Sequence, residues 1–409
     1  MQMPSEERLM EETLTLIHRQ HPDELASSSD ESNKKMRRSS CGWLRDRKVA
    51  DLVRDSRRLV EVPYTATLAA TVHALVANDI AAVPVAAPPG RYIGAGGSMI
   101  LESDRATGVV RKHYIGIITM LDVLVHIADG HPDGDGAVDL ETKMAVPVST
   151  VIGQSLEGLN LWTLNPNTSI LDCIETFSKG VHRSLVPLES QMESAISVEL
   201  VEASPGYRML TQLDVLNFLR ANANELQDIM NCSIGKLAAV NENVFAVSEH
   251  THLIDAIRSM STFSLGAVPI VAAAGEVSED GSIIQDGRGR KVIGTFSATD
   301  LRRCSVAQLQ SMLNDSVISF KEQVSAIAAE SSGISDEPKT RCVTCHYDST
   351  LAEVIDEAVF SHVHRVWVVD GEGLLVGLVS LTDILRAILD NVLGARNEVQ
   401  DAAPIELQV

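Results

Sequence analysis

Four segments of the chain carry apolar residues at the 3.6-residue spacing of an amphipathic helix. In the first segment, Leu68, Val72 and Leu75 place one apolar stripe along two helical turns. The other three segments repeat this spacing from equivalent starting residues, which are Ile170, Leu253 and Leu351. A helix with one apolar face needs a partner to cover that face. We therefore expect four surface helices, each packed against a core.

A β-rich run follows each predicted helix after about fifteen residues, as expected for a compact supersecondary unit. The four runs are "AAVPVAA", "LVPLES", "GAVPIVAAA" and "VWVVDG". Their alignment places Val83, Val186, Val268 and Val366 in one column, with one extra residue in the second copy. A last run closes each copy, as in "LVGLVSLTDIL". The pattern predicts an α+β fold made of four strand-helix-strand-strand-helix repeats.

The repeats also predict the domain boundaries. Residues 1–44 are rich in Ser, Glu and Lys and are expected to be disordered. Residues 45–228 hold repeats 1 and 2, residues 229–392 hold repeats 3 and 4, and residues 393–409 form an acidic tail. Because each repeat has an open apolar helix face, we expect the repeats to pack in pairs. The basic run "KKMRRSS" is interpreted as a solvated linker, with a nuclear address or a kinase site at Ser39 or Ser40 as alternatives.

Charge and hydropathy restrict the possible partners. The 409 residues include 34 basic and 55 acidic side chains, which give a net charge of −21. We expect such a chain to repel nucleic acid and anionic membrane, so that any anionic ligand must be held by local cations. No apolar run reaches the roughly 18 residues of a membrane span, and the N-terminus does not read as a signal peptide. The expected location is the cytoplasm, with the nucleus as a further possibility through the basic run.

The stretch "RCVTCH" has the spacing of a c-type haem attachment site, with Cys342, Cys345 and His346. In the repeat alignment, however, both cysteines fall in columns that hold Leu or Val in the other three copies. A buried cysteine behaves as a small apolar residue. We interpret the pair as core thiols, and no second CxxC motif is present to complete a zinc site.

A hydroxyl residue followed three positions later by aspartate ends the third strand of every repeat. Either residue type can cap the helix that follows. The carboxylate can also accept hydrogen bonds from ribose hydroxyls while the helix N-terminus attracts phosphate. Both interpretations stay open for each pair, and the pairs are Thr119/Asp122, Thr211/Asp214, Ser297/Asp300 and Ser380/Asp383.

Cations occur at equivalent positions of repeats 2 and 4, as His182 with Arg183 and as His364 with Arg365. Two such pairs are expected to contact phosphate, although a histidine near a strand is often only structural. Repeats 1 and 3 carry small residues there, so we do not expect all four repeats to bind phosphate equally. Repeat 2 also has Arg208 where the other repeats have glycine, which would hinder close approach of a base.

A unit that ends in Gly-x-x-[Ser/Thr]-x-x-Asp resembles the cystathionine-β-synthase (CBS) repeat. Four tandem copies with "GVHRSLVPL" and "HVHRVWVVDGEGLLVGLVSLTDIL" resemble the γ subunit of AMP-activated and sucrose-non-fermenting-related protein kinases. The stretches "RRLVEVPYTATL" and "IGAGGSMILESDRATGVVRKHYIG" are most similar to the plant γ-like members. The resemblance extends over residues 47 to 392.

The resemblance implies a disc of two paired (Bateman) modules that binds AMP, ADP or ATP, with no other cofactor and no metal. Each cleft would combine the aspartate of one repeat with the basic pair of its neighbour. The implied sites pair Asp122 with His182 and Arg183, and Asp300 with His364 and Arg365. Hydroxyls before the first helices would contact the base edge, unless they only cap those helices, and these are Thr65, Thr168, Thr251 and Ser349. The implied partners are the catalytic and β-type scaffold subunits of a protein kinase.

We find no residue set for catalysis, such as a Walker loop, a nucleophile elbow or a kinase signature. "GAGG", residues 94–97, is interpreted as a hairpin tip and not as a dinucleotide loop. The sequence therefore predicts a regulatory, nucleotide-sensing subunit and not an enzyme. Two alternatives remain: a CBS scaffold that has lost nucleotide binding, and a CBS regulator of another enzyme.

Overall fold

The computed structural model describes residues 39–87, 114–129, 139–155, 158, 161–188, 207–273, 283–332 and 342–400. Each predicted repeat contains one three-stranded sheet, in which the first and second strands are parallel and the third is antiparallel. The predicted α+β class and repeat plan are confirmed. The strands are Val62–Pro63, Ala82–Ala86 and Tyr114–Thr119 in repeat 1; Trp162–Thr163, Arg183–Pro187 and Tyr207–Thr211 in repeat 2; Val247–Ser248, Ala267–Val271 and Val292–Ser297 in repeat 3; and Thr344–Cys345, Arg365–Val369 and Leu375–Ser380 in repeat 4.

The first helix of each repeat begins at the residue that the apolar period indicates. These helices are Leu68–Ala77, Ile170–Ser178, Leu253–Thr262 and Leu351–Phe360. Thr67, Ser169 and Thr350 cap three of them, because each side chain accepts a hydrogen bond from an amide in the first turn. Hydroxyl caps and the apolar period thus act together to fix the helix starts.

The second helices differ more between repeats. They are Met120–Ala128, Gln212–Ala221 and Leu381–Gln400 in repeats 1, 2 and 4, whereas repeat 3 has the 3₁₀-helix Ala298–Arg303. The remaining α-helices are Val49–Val53, Leu140–Met144, Gln227–Met230, Val306–Met312 and Val317–Ser332, with 3₁₀ turns at Val148–Thr150 and Ala223–Leu226. The helix Val317–Ser332 follows the 3₁₀ segment and covers repeat 3, where Phe320 packs edge-on against Phe296 at 5.9 Å.

The helix faces are covered by pairs of repeats that lie in different halves of the chain. One apolar core joins repeats 2 and 4, and it includes Phe177 and Ile388. A second core joins repeats 1 and 3, and it includes Leu124 and Phe296. Isolated β-bridges connect repeat 1 with repeat 2 and repeat 3 with repeat 4, for example between Lys48 and Ser169 and between Lys291 and Leu374. The four repeats therefore form a closed ring in the order 1, 2, 4, 3.

The chain is folded on both sides of the predicted boundaries. Residues 39–46 are helical, Leu44 is fully buried, and the Trp43 ring stacks on Phe218 with centroids 5.5 Å apart. The hydroxyl of Ser40 donates to the carbonyl of Glu225 at 2.8 Å and is buried, whereas Ser39 is exposed. The last helix continues past 392 to residue 400. Residues 1–38 and the "GAGG" stretch lie outside the described residues.

The strand register corrects one alignment made from sequence. Val83, Val268 and Val366 do share a place in the ladder, opposite the next-to-last residue of the third strand, but repeat 2 puts Ser184 there and not Val186. Its first helix has nine residues where the others have ten, so repeat 2 is one residue shorter and not longer. The alignment was wrong because it matched the Val-Pro pair of repeat 2 with the Val-Pro pairs of repeats 1 and 3.

Candidate functional site

A cavity of about 2140 Å³ lies where the four repeats meet. The C-terminal ends of the first helices and the N-terminal ends of the second helices both open into it. We call the hydroxyl and aspartate pair at the start of each second helix the junction of that repeat. Side chains from all four repeats line the cavity, including the predicted basic pairs of repeats 2 and 4, which are His182, Arg183, His364 and Arg365.

The four junctions share one capping arrangement. In each, Oδ2 of the aspartate accepts the backbone N–H of the hydroxyl residue, at 2.8 Å in repeats 1 and 2, 2.9 Å in repeat 3 and 3.0 Å in repeat 4. The hydroxyl in turn accepts an N–H from the first helical turn. This is a capping box, with the acidic residue three positions after the cap. One carboxylate oxygen is thus committed to the fold in every repeat, and the differences lie in Oδ1.

In repeat 1, the chain itself occupies the Oδ1 position. Oδ1 of Asp122 accepts the N–H of Ser155 at 2.8 Å, and a Cβ added to Gly158 would lie 2.8 Å from the same oxygen. Asp122 is fully buried and does not line the cavity. Desolvation raises the pKa of Asp122, against the lowering effect of its hydrogen bonds to Ser155 and Thr119. The sequence had led us to expect Asp122 in an open cleft with His182 and Arg183. The structure does not bring the three side chains together in this way.

The other three junctions line the cavity, each with different surroundings. Oδ1 of Asp300 accepts from Nζ of Lys321 at 2.9 Å, and Oδ1 of Asp383 pairs with Nη1 of Arg386 at 3.1 Å. Asp214 is exposed. The Arg386 side chain is 51% exposed and the Lys321 side chain only 17%, so the repeat 3 pair is much the better shielded from water.

Arg365 reaches from repeat 4 into repeat 3. Its Nη1 donates to the carbonyl of Ala267 at 2.9 Å, and Ala267 pairs with Ser297 of the repeat 3 junction. Nε of Arg365 is buried and has no hydrogen-bond partner among the residues that the structure describes. Burial lowers the pKa of Arg365, and the nearby Asp383 opposes that effect. A partly buried guanidinium with one unsatisfied donor is suited to contact an anion.

Repeat 3 also supplies cations that the repeat alignment missed. Lys321, Arg302 and Arg303 all line the cavity. Nη1 of Arg302 contacts Oδ1 of Asp79 at 3.0 Å and so links repeat 3 to its neighbour in the ring, repeat 1. Because Lys321 lies 21 residues after Asp300, on the helix Val317–Ser332, alignment of the strand motifs could not have found it.

The residues predicted to contact a base edge lie outside the cavity lining. These are Thr65, Thr168, Thr251 and Ser349, and the first-helix caps are neighbouring residues. The glycines expected to leave room for a base also contact the chain itself. A Cβ at Gly116 would lie 2.5 Å from Cγ2 of Ile152, and one at Gly377 would lie 2.7 Å from Cγ1 of Val240. In repeat 2, Nε of Arg208 donates to the carbonyl of Ser56 at 3.2 Å.

The cysteines are built into the fold. Cys345 lies on the first strand of repeat 4 and is buried, and Sγ of Cys342 lies 3.4 Å from Oγ1 of Thr295. Nδ1 of His346 lies 3.0 Å from the carbonyl of Val369. Within the described ranges, no cluster of His, Cys, Asp and Glu has the arrangement of a metal site, and no helix there is long and apolar enough to cross a membrane.

Comparison with known proteins agrees with this architecture. The CBS domain family matches residues 334–390, which include most of repeat 4. The SNF1-related protein kinase regulatory subunit gamma-like PV42a of Arabidopsis thaliana is 52% identical over 342 residues, covering 83% of this chain and 93% of that protein. This chain belongs to the plant SNF1-related kinase γ-like family. PV42b of the same plant is 48% identical and covers 85% of this chain and 96% of that protein.

Two more distant similarities extend over most of the chain. The yeast 5′-AMP-activated protein kinase subunit gamma, from Saccharomyces cerevisiae, is 23% identical over 283 residues, covering 68% of this chain and 76% of that protein. A solved protein from Methanocaldococcus jannaschii is 18% identical and covers 83% of this chain and 99% of its own, with a TM-score of 0.53. The resemblance to kinase γ subunits that the sequence motifs indicated is therefore confirmed.

Proposed function

We propose that this protein is a γ-like regulatory subunit that binds adenine nucleotide in the central cavity and modulates a SNF1-related protein kinase. The observation that carries the proposal is Arg365, a partly buried cation whose Nε is buried and unsatisfied and whose Nη1 bonds to Ala267 of the neighbouring repeat, next to the Asp383 carboxylate. A phosphate group would satisfy that donor and offset the cost of burying the charge. The named function of the plant relatives supports the kinase part.

The residue types around the cavity suit the parts of a nucleotide. We propose that His182, Arg183, His364 and Arg365 contact phosphate. The junction carboxylates would accept the ribose hydroxyls through Oδ1, because Oδ2 already caps the helix. These carboxylates, with their hydroxyl partners, are Asp214 with Thr211, Asp300 with Ser297 and Asp383 with Ser380.

Asp122 is left out of this proposed site. Its Oδ1 is already bonded to Ser155, and Gly158 lies against it, so a ribose could enter only if Ser155 and Gly158 moved away. We therefore propose nucleotide binding at no more than three junctions. The cleft between repeats 3 and 4 is the leading candidate, because Arg365 and Asp300 both belong to it.

Regulation would follow from differential binding. A nucleotide that binds one conformation of the ring more tightly than another shifts the population, and a bound kinase senses that shift. We propose a catalytic subunit and a β-type scaffold subunit as partners, no enzymatic activity for this chain, and a location in the cytoplasm and nucleus.

Calorimetric titration with AMP, ADP and ATP tests the nucleotide part. Arg365→Ala and Arg183→Ala should each weaken binding at their site by about tenfold or more, the worth of one charge-assisted hydrogen bond. Arg220→Ala is the matched control, because Arg220 pairs with Asp356 at the surface and does not line the cavity. A folded wild-type chain that binds none of the three nucleotides would refute this part and leave the scaffold alternative, which co-purification with a kinase would test separately.

A further inference from the structure

The ion pair between Lys321 and Asp300 differs from the contacts at the other junctions. The two side chains are 17% and 12% exposed, and Nζ lies 2.9 Å from Oδ1. The comparable pair in repeat 4, Arg386 with Asp383, has its cation largely in solvent. Lys321 comes from a helix that the repeat motif does not include. Repeat 3 therefore has a shielded cation on the oxygen that a ribose would need.

This contact leaves the Asp300 carboxylate occupied on both oxygens. Oδ2 accepts the N–H of Ser297 at 2.9 Å, and Oδ1 accepts from Lys321. A ribose hydroxyl can bond to Oδ1 only if the ammonium is displaced or shared. A displaced ammonium that stays mostly buried without an anion is costly, because desolvation is no longer compensated.

A nucleotide brings its own replacement anion. The lysine side chain is long and flexible and carries three donors, so its ammonium can move from the carboxylate to a phosphate in the same cavity. Arg365 lines that cavity from the neighbouring repeat 4, and its unsatisfied Nε could donate to the same phosphate chain. A nucleoside would displace the ammonium from Asp300 and leave its charge without a partner. A nucleotide would displace the ammonium and also pair its charge with a phosphate.

We propose that Lys321 makes the cleft between repeats 3 and 4 selective for nucleotides over nucleosides. Its ammonium stays paired with Asp300 until a phosphate replaces the carboxylate as its partner. This inference rests on the proposed function, since it assigns selectivity to the same cleft. Lys321 is thus both a barrier to ribose and a ligand of phosphate. Removing its charge should therefore affect AMP and adenosine in opposite directions.

The test compares AMP and adenosine binding to wild type and Lys321→Met by calorimetry, at the site that Arg365→Ala weakens. We expect AMP to bind about tenfold or more weakly to the variant, the loss of one charge-assisted hydrogen bond. Adenosine should bind more tightly to it, because Asp300 is no longer occupied. Lys236→Met is the matched control, since Lys236 is exposed and does not line the cavity.

Lys321→Gln provides a second variant if the methionine leaves the fold too unstable, and thermal unfolding establishes that each protein is folded. Glutamine should also lower the ratio of AMP to adenosine affinity. If either folded variant keeps the wild-type ratio, or loses both ligands in equal proportion, Lys321 does not set selectivity and the proposal is wrong. If wild type binds AMP and both variants bind it with the same affinity, only this inference is overturned. If wild type binds no nucleotide, the proposed function is overturned as well.

Discussion

Substitution of Asp122 by asparagine should destabilise the fold without changing nucleotide affinity. The carboxylate accepts three hydrogen bonds, from the N–H and Oγ1 of Thr119 at 2.8 and 2.7 Å and from the N–H of Ser155 at 2.8 Å. Asparagine is nearly isosteric but has one NH₂ group in place of an oxygen. That group must face either Ser155 or Thr119, and both present donors.

The magnitude follows from this donor contact. A hydrogen bond to a charged group contributes about 1.5–3 kcal/mol, and a buried N–H left unsatisfied costs about 1–3 kcal/mol. Because asparagine also avoids burying a charge, we expect a net loss of about 2–3 kcal/mol. A loss of that size lowers the melting temperature of a chain this large by about 2–4 °C.

The assay is denaturant unfolding of wild type and Asp122→Asn, followed by AMP titration of both folded proteins. Asp300→Asn is the comparison, since it changes the same motif in a junction that lines the cavity, and it should weaken AMP binding. The reasoning is refuted if Asp122→Asn is as stable as wild type, or if it weakens AMP binding as much as Asp300→Asn does.

The pH dependence of this effect has a definite sign. Desolvation raises the pKa of Asp122 above its ordinary value of 3.8. As pH falls, the native state therefore takes up a proton before the unfolded state does. The pH-dependent part of the contribution of Asp122 to stability is full below the unfolded pKa and is lost as pH rises through the native pKa. The difference in unfolding free energy between wild type and Asp122→Asn should accordingly be larger near pH 4 than near pH 7.

Two further predictions concern residues outside the junctions. Burial raises the pKa values of Cys173, Cys304 and Cys345 to about 12. Alkylation of these thiols at about pH 8 should therefore be at least a hundredfold slower in the native than in the unfolded protein. Peptide mapping measures the alkylation rate of each thiol, and rapid labelling of the native protein would contradict the prediction. Trp43→Ala should cost about 2–3 kcal/mol, because it removes a half-buried ring stacked on Phe218. Denaturant unfolding measures that loss, and a changed AMP affinity in this variant would contradict the separation of Trp43 from the cavity.

The repeat plan could be predicted from sequence because its signals are local. The apolar spacing from Leu68 and Leu351 and the hydroxyl caps at Thr67 and Thr350 lie within one helical turn of the boundary they set. The pairing of helix faces could not be predicted, since all four faces are similarly apolar and nothing local distinguishes a partner in the same half of the chain from one in the other half. The start of the fold was also missed, because Leu44 and Trp43 follow a polar stretch that masks the short helix.

The candidate site divides in the same way between local and long-range contacts. The sequence motif predicts Oδ2 of each junction aspartate correctly as a cap, since that bond reaches back only three residues. In repeats 1 and 3, Oδ1 depends on residues far along the chain. Its partner is 33 residues away in repeat 1, where Ser155 contacts Asp122, and 21 residues away in repeat 3, where Lys321 contacts Asp300.

This division explains why counting motifs does not count binding sites. Because the cap alone stabilises the second helix, a repeat can retain its hydroxyl and aspartate after it has lost every ligand. What each junction can bind depends on the group that contacts the second carboxylate oxygen. That group is a backbone amide in repeat 1, a shielded ammonium in repeat 3 and an exposed guanidinium in repeat 4. Four similar motifs can therefore serve different purposes in one ring, and long-range contacts in the folded chain distinguish them.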